Sequence, residues 1–172
     1  MKLSRAHKMV YALIIATLAL AAVLPAFAQG HRPTQNIVQI AASNPDFSTL
    51  VAAVQKAGLV DALDGPKRLT VFAPTNAAFD ALAAELGFAD GMALVNALPA
   101  EQLTPILLYH VTNGNRPANS LFPPKEVRML AGGKAATAWG GGVRSIDGQP
   151  ILATNIRATN GIIHVIGGVM MP

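Results

Sequence analysis

Histidine and serine are the residues of this sequence best suited to bind a metal ion or act as a nucleophile. Their spacing does not match the known motifs for either role. The histidines beyond the N-terminal segment are His31, His110 and His164, and none has a second histidine three to five residues away. A zinc site on a helix needs two histidines at such a spacing. No serine stands in a Gly-x-Ser-x-Gly turn, which exposes the nucleophile of many hydrolases. The sequence therefore offers neither a local histidine metal site nor a recognisable serine nucleophile.

Cysteine and glycine patterns exclude further classes of chemistry. The chain has no cysteine, which removes thiol catalysis, dithiol redox chemistry and most structural zinc sites. The Gly-Gly-Lys segment at 132–134 resembles the end of a phosphate-binding loop, but Arg128 replaces the first glycine of that motif and Ala135 its hydroxyl residue. The triple glycine at 140–142 lacks the spacing of a dinucleotide site. A carboxylate pair for glycoside hydrolysis is the alternative that stays open, because nine acidic residues are present.

Four side chains remain as candidates for a structural role or for contact with a partner. Tyr109 and His110 lie together in the apolar run LLYHV, where the pair either anchors a helix in the core or presents part of itself to a partner. Trp139, the only tryptophan, precedes the three glycines of a predicted loop. Tryptophan supplies a large contact area at low entropic cost, so Trp139 is either a contact point or a filler of the core. His164 lies between isoleucines of a predicted strand, which favours a structural role.

The N-terminus has the three parts of a secretory signal peptide. Lys2, Arg5 and Lys8 form a basic start, an apolar run follows at 9–24, and Ala-Phe-Ala at 26–28 matches a cleavage site. The run is shorter than the roughly 20 residues that span a bilayer, so a membrane anchor is the weaker alternative. We therefore predict cleavage after Ala28, and a secreted or periplasmic protein without a membrane span.

Removal of this segment changes the charge of the chain. The full sequence has 13 Lys and Arg against 9 Asp and Glu, and the segment 1–28 holds three of the basic residues. Ten basic and nine acidic residues remain, a net charge of +1, which leaves no electrostatic footprint for nucleic acid. The remaining residues make up one ordinary domain, large enough to be stable through packing without disulfides.

The chain beyond residue 28 divides into a flexible lead at 29–34 and a domain at 35–172. The domain begins with helix-forming segments and ends with strand-forming ones, an order that points to an α+β fold. Leu86 is expected on the buried face of one helix, at apolar spacing from Phe79. Asn160-Gly161 predicts a hairpin, because a type I′ turn needs positive φ at both residues. The predicted helices lie near 36–42, 45–57, 75–86 and 99–112, and the predicted strands near 68–73, 126–130, 134–139, 143–147, 151–158 and 162–166.

Three segments together resemble the signature segments of the fasciclin domain. They are TVFAPTNAAF at 70–79, LLYHVTNG at 107–114 and ATNGIIHVIGGVMMP at 158–172, in the family's order and at suitable separations. The resemblance covers essentially the whole of residues 35–172. It implies a fasciclin-like β-sandwich of two small sheets packed against a layer of helices, closed by a C-terminal strand.

In that fold the abrupt corner between a strand and a helix at 70–79 is a structural device. The strand is central, and the corner starts the helix that covers the core. Pro74 fixes φ, Thr75 caps free N–H groups, and Asn76 ties the corner through side-chain hydrogen bonds. Phe72 and Phe79 are predicted to be buried on either side of it.

The resemblance also implies a class of function. Fasciclin-like proteins are mostly secreted or surface-attached modules that bind proteins, matrix or glycans, and they are generally not enzymes. In animal members the segment corresponding to Tyr109-His110 is linked with adhesion. The leading prediction is a non-catalytic extracellular or periplasmic interaction module of the adhesion type, without a cofactor, that binds a cell-envelope protein or glycan. The departures from the family at 167–168, Gly-Gly, and at 170–171, Met-Met, predict a looser C-terminal end.

A second prediction is a carrier of an apolar small molecule such as a carotenoid, since some fasciclin-like proteins bind such pigments. Met129, Met170 and Met171 are flexible apolar side chains suited to an adaptable surface, although methionine also fills gaps in cores. An apolar pocket open to solvent would favour the carrier. A well-filled core with exposed polar loops would favour the interaction module.

Overall fold

The computed structural model describes residues 32–121 and 124–172, which form one unit from Arg32 to Pro172. The predicted signal peptide at 1–28, and residues 29–31 of the predicted lead, lie outside the described residues. The helices of the described part cluster in its first half, as predicted. They are α1 (Ile37–Ser43), a 3-10 turn (Pro45–Phe47), α2 (Ser48–Lys56), α3 (Val60–Asp64), α4 (Asn76–Glu85), α5 (Gly91–Ala97), α6 (Ala100–Tyr109) and α7 (Ala118–Leu121).

The strands form a single hydrogen-bonded order, β2-β1-β7-β6-β5-β4-β3. The pair β1–β7 is parallel and the other neighbours are antiparallel. The predicted α+β class is confirmed, and the two parts of the predicted sandwich are joined into one sheet. The joint is β6, which pairs with β7 along most of its length and with β5 at its first two residues. The strands are β1 (Leu69–Pro74), β2 (Val111–Asn113), β3 (Glu126–Arg128), β4 (Lys134–Gly140), β5 (Val143–Ile146), β6 (Gln149–Ala158) and β7 (Gly161–Ile166).

The parallel pair β1–β7 is the centre of the core, and all six residues of each strand are buried. Strands covered on both faces are mostly apolar, and here Thr70 and His164 are the polar exceptions, both satisfied by hydrogen bonds. Val71 points into an apolar cluster shared with α1 to α6, whereas Phe72 points into a second cluster. The strands β3 to β5 close that second cluster through Val127, Ala135 and Ile146. The fold therefore buries β1 and β7 between the helices and the strand meander.

The corner between β1 and α4 has the geometry that the sequence predicts. Thr75 is the N-cap of α4, and its hydroxyl oxygen accepts a hydrogen bond from the Ala78 N–H at 3.3 Å. The Asn76 amide donates to the Pro45 carbonyl at 2.9 Å and accepts from the Thr49 N–H at 3.1 Å. Phe72 and Phe79 are both buried, in different apolar clusters. The corner thus links β1 and α4 to the start of α2, and its predicted structural role is confirmed.

The predicted turn at Asn160-Gly161 is wrong in register. The hairpin between β6 and β7 exists, but Ala158 pairs with Gly161, so that Thr159 and Asn160 form the loop. Neither Asn160 nor Gly161 has a positive φ. The Asn160 side chain is instead buried, where it accepts from the Ile37 N–H at 3.0 Å and donates to the Leu63 carbonyl at 2.8 Å. This residue ties the hairpin to α1 and α3, which is a long-range role that turn propensity does not reveal.

Two other hairpins have the turn geometry that Asn160-Gly161 was expected to have. Gly141 and Gly142, with φ of 58° and 79°, join β4 to β5. Asp147 and Gly148, with φ of 50° and 76°, join β5 to β6. Positive φ at both loop residues is the type I′ conformation, whose twist matches that of the paired strands. The β4–β5 hairpin is therefore held by a tight turn at each end of β5.

Two further features of the helices and the C-terminus differ from the predictions. Leu86 is exposed, because α4 ends at Glu85 and the following turn directs that side chain outward. The helix α5 was not predicted. Its signal in the sequence is the N-cap Asp90, whose carboxylate accepts a hydrogen bond from the Ala93 N–H at 2.7 Å. The C-terminal end is not loose, since Val169 and Met170 are buried.

Candidate functional site

His110 lies inside the protein and connects the end of α6 to the C-terminal segment. Its side chain is only 2 % exposed. Nδ1 lies 2.8 Å from the Ile106 carbonyl, and Nε2 accepts from the Met170 N–H at 2.9 Å. These partners require a neutral imidazole with its proton on Nδ1. Burial lowers the pKa of His110 to about 4, although its bond to the Ile106 carbonyl opposes that shift.

Tyr109 belongs to the apolar cluster beneath β3 to β5 and is also buried. Its hydroxyl donates to the Lys134 carbonyl at 3.1 Å. Burial, and next the negative charge of Asp147, raise the pKa of the Tyr109 phenol. The ring lies so close to Gly133 that a Cβ at that position would be 2.8 Å from ring atom Cε2. Tyr109 and His110 therefore have the anchoring role that was one of the two predicted alternatives, and neither presents an open surface.

His164 has a comparable structural role at the centre of β7. Its ring is fully buried and stacks on Phe72, with centroids 5.5 Å apart. Nε2 donates to the Arg116 carbonyl at 2.9 Å, and Nδ1 accepts from the Asn155 N–H at 3.4 Å. Burial lowers the pKa of His164, against the opposing effect of its backbone hydrogen bond. Both imidazoles are thus internal links between segments of main chain.

Trp139 differs from these residues because it is 58 % exposed. It lies near the end of β4, paired in register with Arg144 of β5, and the Arg144 guanidinium carbon is 5.1 Å from the ring centroid. Alternation along β4 places Trp139 on the same face as the buried Ala135 and Thr137. The hairpin extends past the end of the core, so the tryptophan is exposed on a face that is otherwise internal.

Beside Trp139 lies an open groove of about 420 Å³ between the β4–β5 hairpin and β6. The pairing of β5 with β6 covers only Ser145–Pro150 and Ile146–Gln149, and the strands diverge beyond Ser145 and Pro150. Two further large apolar side chains at the groove are exposed, Val143 by 51 % and Leu152 by 61 %. We call this feature the hairpin groove; it is lined by Trp139, residues 142–144 and residues 151–154.

A second cavity, of about 110 Å³, lies between the helices α1 to α3 and the sheet. Its walls are almost entirely apolar, and they include Phe47, Leu50 and Val71 from the core together with the half-buried Val38 and Val51. Of the methionines predicted for an adaptable surface, Met129 and Met170 are buried in the core and Met171 is exposed. The apolar cavity is therefore lined by helix and strand residues and not by these methionines.

The described residues contain no group of three or more His, Asp or Glu side chains placed to hold a metal ion. In the same ranges, 32–121 and 124–172, no helix combines the length and the hydropathy needed to cross a bilayer.

Comparison with known proteins identifies the family of this chain. The family model described as the fasciclin domain matches residues 45–172. The chain belongs to the fasciclin family. The match includes the β1–α4 corner, the Tyr109-His110 pair and β7, which are the three segments on which the resemblance rested.

Relatives of this fasciclin domain occur in bacteria and animals. Protein sll1483 and the uncharacterized protein sll1735, both from Synechocystis, are each 40% identical over 136 residues, which is 79% of this chain and 73% and 97% of theirs. Transforming growth factor-beta-induced protein ig-h3 from Sus scrofa is 34% identical over 140 residues, 81% of this chain but 20% of that protein.

The fold of this fasciclin domain also matches a solved structure. A FAS1 domain pair from the insect cell adhesion molecule fasciclin I superimposes with a TM-score of 0.65 at 17% identity, covering 81% of this chain and 52% of that one. At this identity the match establishes the fold alone.

The structure separates the three predicted interaction residues. Tyr109 and His110 are internal, and Trp139 lies at the surface in the hairpin groove. Arg144 and Leu152, which lie beside Trp139 at the groove, were not among the predicted interaction residues. The signal for Arg144 was present, because a tight turn at 141–142 places residues 139 and 144 opposite each other.

Proposed function

We propose that this fasciclin domain is a non-catalytic interaction module of the adhesion type, which binds a protein or glycan of the cell envelope through the hairpin groove. The observation that carries the proposal is the exposed tryptophan stacked with Arg144 beside a groove on a hairpin held by tight turns. Tryptophan and arginine are the residues most enriched at the energetic centres of protein interfaces.

The environment of the other candidate residues supports this choice of surface. Tyr109, His110 and His164 are engaged in internal hydrogen bonds, so a partner could reach them only after local unfolding. By contrast, Trp139, Val143 and Leu152 expose apolar area around the hairpin groove. Adjacent exposed apolar side chains on a soluble domain commonly mark a contact surface.

The compartment is part of the proposal. The basic start, the apolar run and the Ala-Phe-Ala site at 26–28 form the signal that would direct export. Cleavage after Ala28 would place Gln29 at the N-terminus of an extracellular or periplasmic protein. The intact mass of protein recovered after export tests this step.

The binding proposal is tested by sedimentation of the protein with envelopes from its own host. We expect the wild-type protein to sediment with the envelopes, and Trp139→Ala to reduce the bound fraction at least tenfold. Leu86→Ala is the matched control, because Leu86 is 54 % exposed on the helical side of the domain. Equal loss in both variants, or no sedimentation of the wild type, would contradict the proposal.

The non-catalytic part of the proposal has its own test. Among the acidic residues, Glu101 and Asp147 are reasonable candidates for a hydrolytic carboxylate. If the protein hydrolyses ester or glycoside substrates at a rate that Glu101→Gln or Asp147→Asn abolishes, the domain is an enzyme and the proposal fails.

The apolar cavity favours a second candidate function, the carriage of an apolar small molecule. A dry apolar cavity of about 150 Å³ is known to accept benzene or xenon, so one of about 110 Å³ fits a ligand of that size or the end of a longer chain. A whole carotenoid is far larger, and its binding would require α1 to α3 to separate from the sheet. An absorption band and a discrete added mass on protein recovered from a pigment-producing host would establish this function.

A further inference from the structure

We infer that three arginines at one end of the sheet, Arg68, Arg116 and Arg157, form a binding site for a phosphate group. We call them the arginine cluster. None of them lines the hairpin groove, so this site goes beyond the proposed function and does not depend on it. The observations that carry it are the register of three strands, a loop that crosses them, and the lack of a carboxylate partner among the described residues.

Strand pairing places two of these arginines on the same face of the sheet. Arg157 of β6 pairs with Ile162 of β7, and Ile162 pairs with Thr70 of β1. Residues that pair directly have their side chains on one face. Arg68 precedes Thr70 by two residues, and its carbonyl accepts from the Gly114 N–H at 2.8 Å, which continues the pairing of β1 with β2. Alternation therefore places the Arg68 side chain on the face that carries Arg157.

The separation of these two side chains suits a shared ligand. The strand β7 lies between β1 and β6, so Arg68 and Arg157 are two strand spacings, roughly 10 Å, apart across the sheet. Along the strands they are offset by two residues, which is roughly 7 Å. Both side chains are exposed, and each carries its guanidinium on three methylene groups. The two guanidiniums can therefore reach one anion from opposite sides.

The loop that follows β2 brings Arg116 to the same place. The Arg116 N–H donates to the Thr70 hydroxyl at 2.9 Å, and its carbonyl accepts from His164 Nε2 at 2.9 Å. This loop thus crosses the face on which the other two arginines lie. The Arg116 side chain is held in position, because its Nε donates to the Asn113 carbonyl at 3.2 Å. That bond directs the guanidinium towards the end of the sheet where β1 begins, and leaves its Nη donors for a ligand.

The cluster has no carboxylate to neutralise it. The ion pair found in residues 32–121 and 124–172 joins Lys134 to Glu126, on the β3–β4 hairpin. Residues 1–31 and 122–123 contain neither Asp nor Glu, so they supply no carboxylate either. Asp64 belongs to α3, on the helical side of the sheet, and accepts a hydrogen bond from the Asn36 amide. Neighbouring cations repel one another, and a bound anion would relieve that repulsion.

The number and geometry of the donors favour phosphate over a carboxylate. A phosphate group carries nearly two negative charges and presents acceptor oxygens in several directions, whereas a carboxylate has one charge and two oxygens in a plane. Guanidinium groups match these oxygens with paired donors. Three arginines form a site for one such group, and not the extended basic stripe that binds nucleic acid. Because the site is open to solvent, we expect a Kd for inorganic phosphate of roughly 1 to 10 mM.

The test is a nuclear magnetic resonance titration of the nitrogen-15-labelled full chain with inorganic phosphate at pH 6.5. Phosphate replaces chloride at constant ionic strength, so that screening does not change. We expect saturable shifts of the Arg116 Nε–H signal and of the main-chain amides at 114–116. Acetate, titrated in the same way, should bind at least fivefold more weakly, because it has one charge and fewer acceptor oxygens.

Matched variants localise the binding. Arg68→Gln and Arg157→Gln should each weaken phosphate binding about fivefold, as expected for the loss of one exposed charge pair. Arg128→Gln makes the same charge change at an exposed position of β3, where the burial of both sequence neighbours directs the side chain away from the core. It should alter the Kd less than about twofold. The comparison of phosphate with acetate on the wild-type protein does not depend on any variant folding.

A second measurement identifies the source of the phosphate group. The protein is sedimented with phosphatidylcholine vesicles that contain phosphatidylglycerol. Sedimentation that Arg157→Gln reduces and Arg128→Gln does not would support the site and assign it to lipid headgroups. Binding of inorganic phosphate without sedimentation would support the site and assign it to phosphate that is free or carried by a soluble molecule.

Three results would overturn the inference: equal affinity for phosphate and acetate, equal effects of Arg157→Gln and Arg128→Gln, or no saturable shift up to 50 mM phosphate, roughly five times the upper expected Kd. Failure of the proposed function is a separate outcome. Trp139→Ala changes the hairpin groove and should leave the phosphate affinity unchanged. Loss of phosphate binding in that variant would show that the cluster is not a site of its own.

Discussion

Replacement of Gly161 by alanine should lower the free energy of unfolding by about 3 kcal/mol or more. A Cβ at this position would overlap the carbonyl oxygen of Leu69 and lie 2.7 Å from the Cδ1 atom of Ile37. The first obstacle is main chain of β1, which cannot turn aside as a side chain can. Relief of the overlap would separate the parallel pair β1–β7 at Leu69 and Gly161, where the two strands begin to pair. The loss is a large part of the roughly 5–15 kcal/mol that stabilises a domain.

Urea denaturation of the Gly161→Ala variant, followed by circular dichroism, measures this loss. Gly140→Ala is the matched control, because no atom lies within 4 Å of a Cβ there and its φ is not positive. That control should change the stability by less than about 0.5 kcal/mol. A change in the free energy of unfolding for Gly161→Ala as small as that of the control would contradict the close approach of β1 and β7.

Acid should destabilise the protein well before its carboxylates are protonated, because His110 is buried and neutral. Its pKa is lowered from 6.5 to about 4 in the folded protein. Between these values the unfolded chain binds a proton that the folded protein does not, so the stability is complete above pH 6.5 and falls as the pH falls towards 4. The stability lost through this residue is about 3 kcal/mol in total. Between the two pKa values the stability decreases by about 1.4 kcal/mol for each pH unit. The pKa of His164 is lowered too and adds a loss of the same sign.

Denaturation midpoints and slopes at pH 7.5, 6.0 and 5.0 test this expectation. The wild-type stability should fall more steeply with decreasing pH than that of His110→Gln, by up to one further proton taken up on unfolding. The variant should also be less stable at pH 7.5, because the Ile106 carbonyl and the Met170 N–H lose well-placed partners. A wild-type stability that is the same at pH 7.5 and 5.0 would show that these imidazoles are accessible to protons in the folded state.

Local chemistry in the sequence was sufficient to predict the framework of the fold. The corner at 70–79 combines a β-forming run, a fixed φ at Pro74 and a capping hydroxyl at Thr75. Each of these features affects only residues within four positions along the chain. For the same reason Gly141-Gly142 and Asp147-Gly148 mark the turns on either side of β5. Much of the structure that depends on neighbours in the chain is therefore visible in one sequence, although α5, which Asp90 caps locally, was not predicted.

Structure that depends on distant neighbours was not visible. Asn160 and Gly161 have the composition of a tight turn, but Asn160 binds main chain of α1 and α3, and Gly161 provides room for β1. Leu86 has the spacing of a core residue, but α4 ends before it. Alternation along β4 places Trp139 on the same face as buried residues. It is exposed because the hairpin extends beyond the end of the core. These outcomes are set by the packing of the whole domain.

The central claim, that the hairpin groove is the contact surface of this fasciclin domain, is tested most directly by photo-crosslinking in envelopes of the native host. A photoreactive phenylalanine derivative is placed at Val143 in one protein and at Leu86 in another. The two sites are apolar and similarly exposed, at 51 % and 54 %, but Val143 lines the groove and Leu86 lies on the helical side.

We expect one discrete adduct from Val143 and no adduct of that mass from Leu86. An adduct of the same mass from Leu86, or a discrete adduct from Leu86 alone, would place the contact surface on the helices and contradict the account.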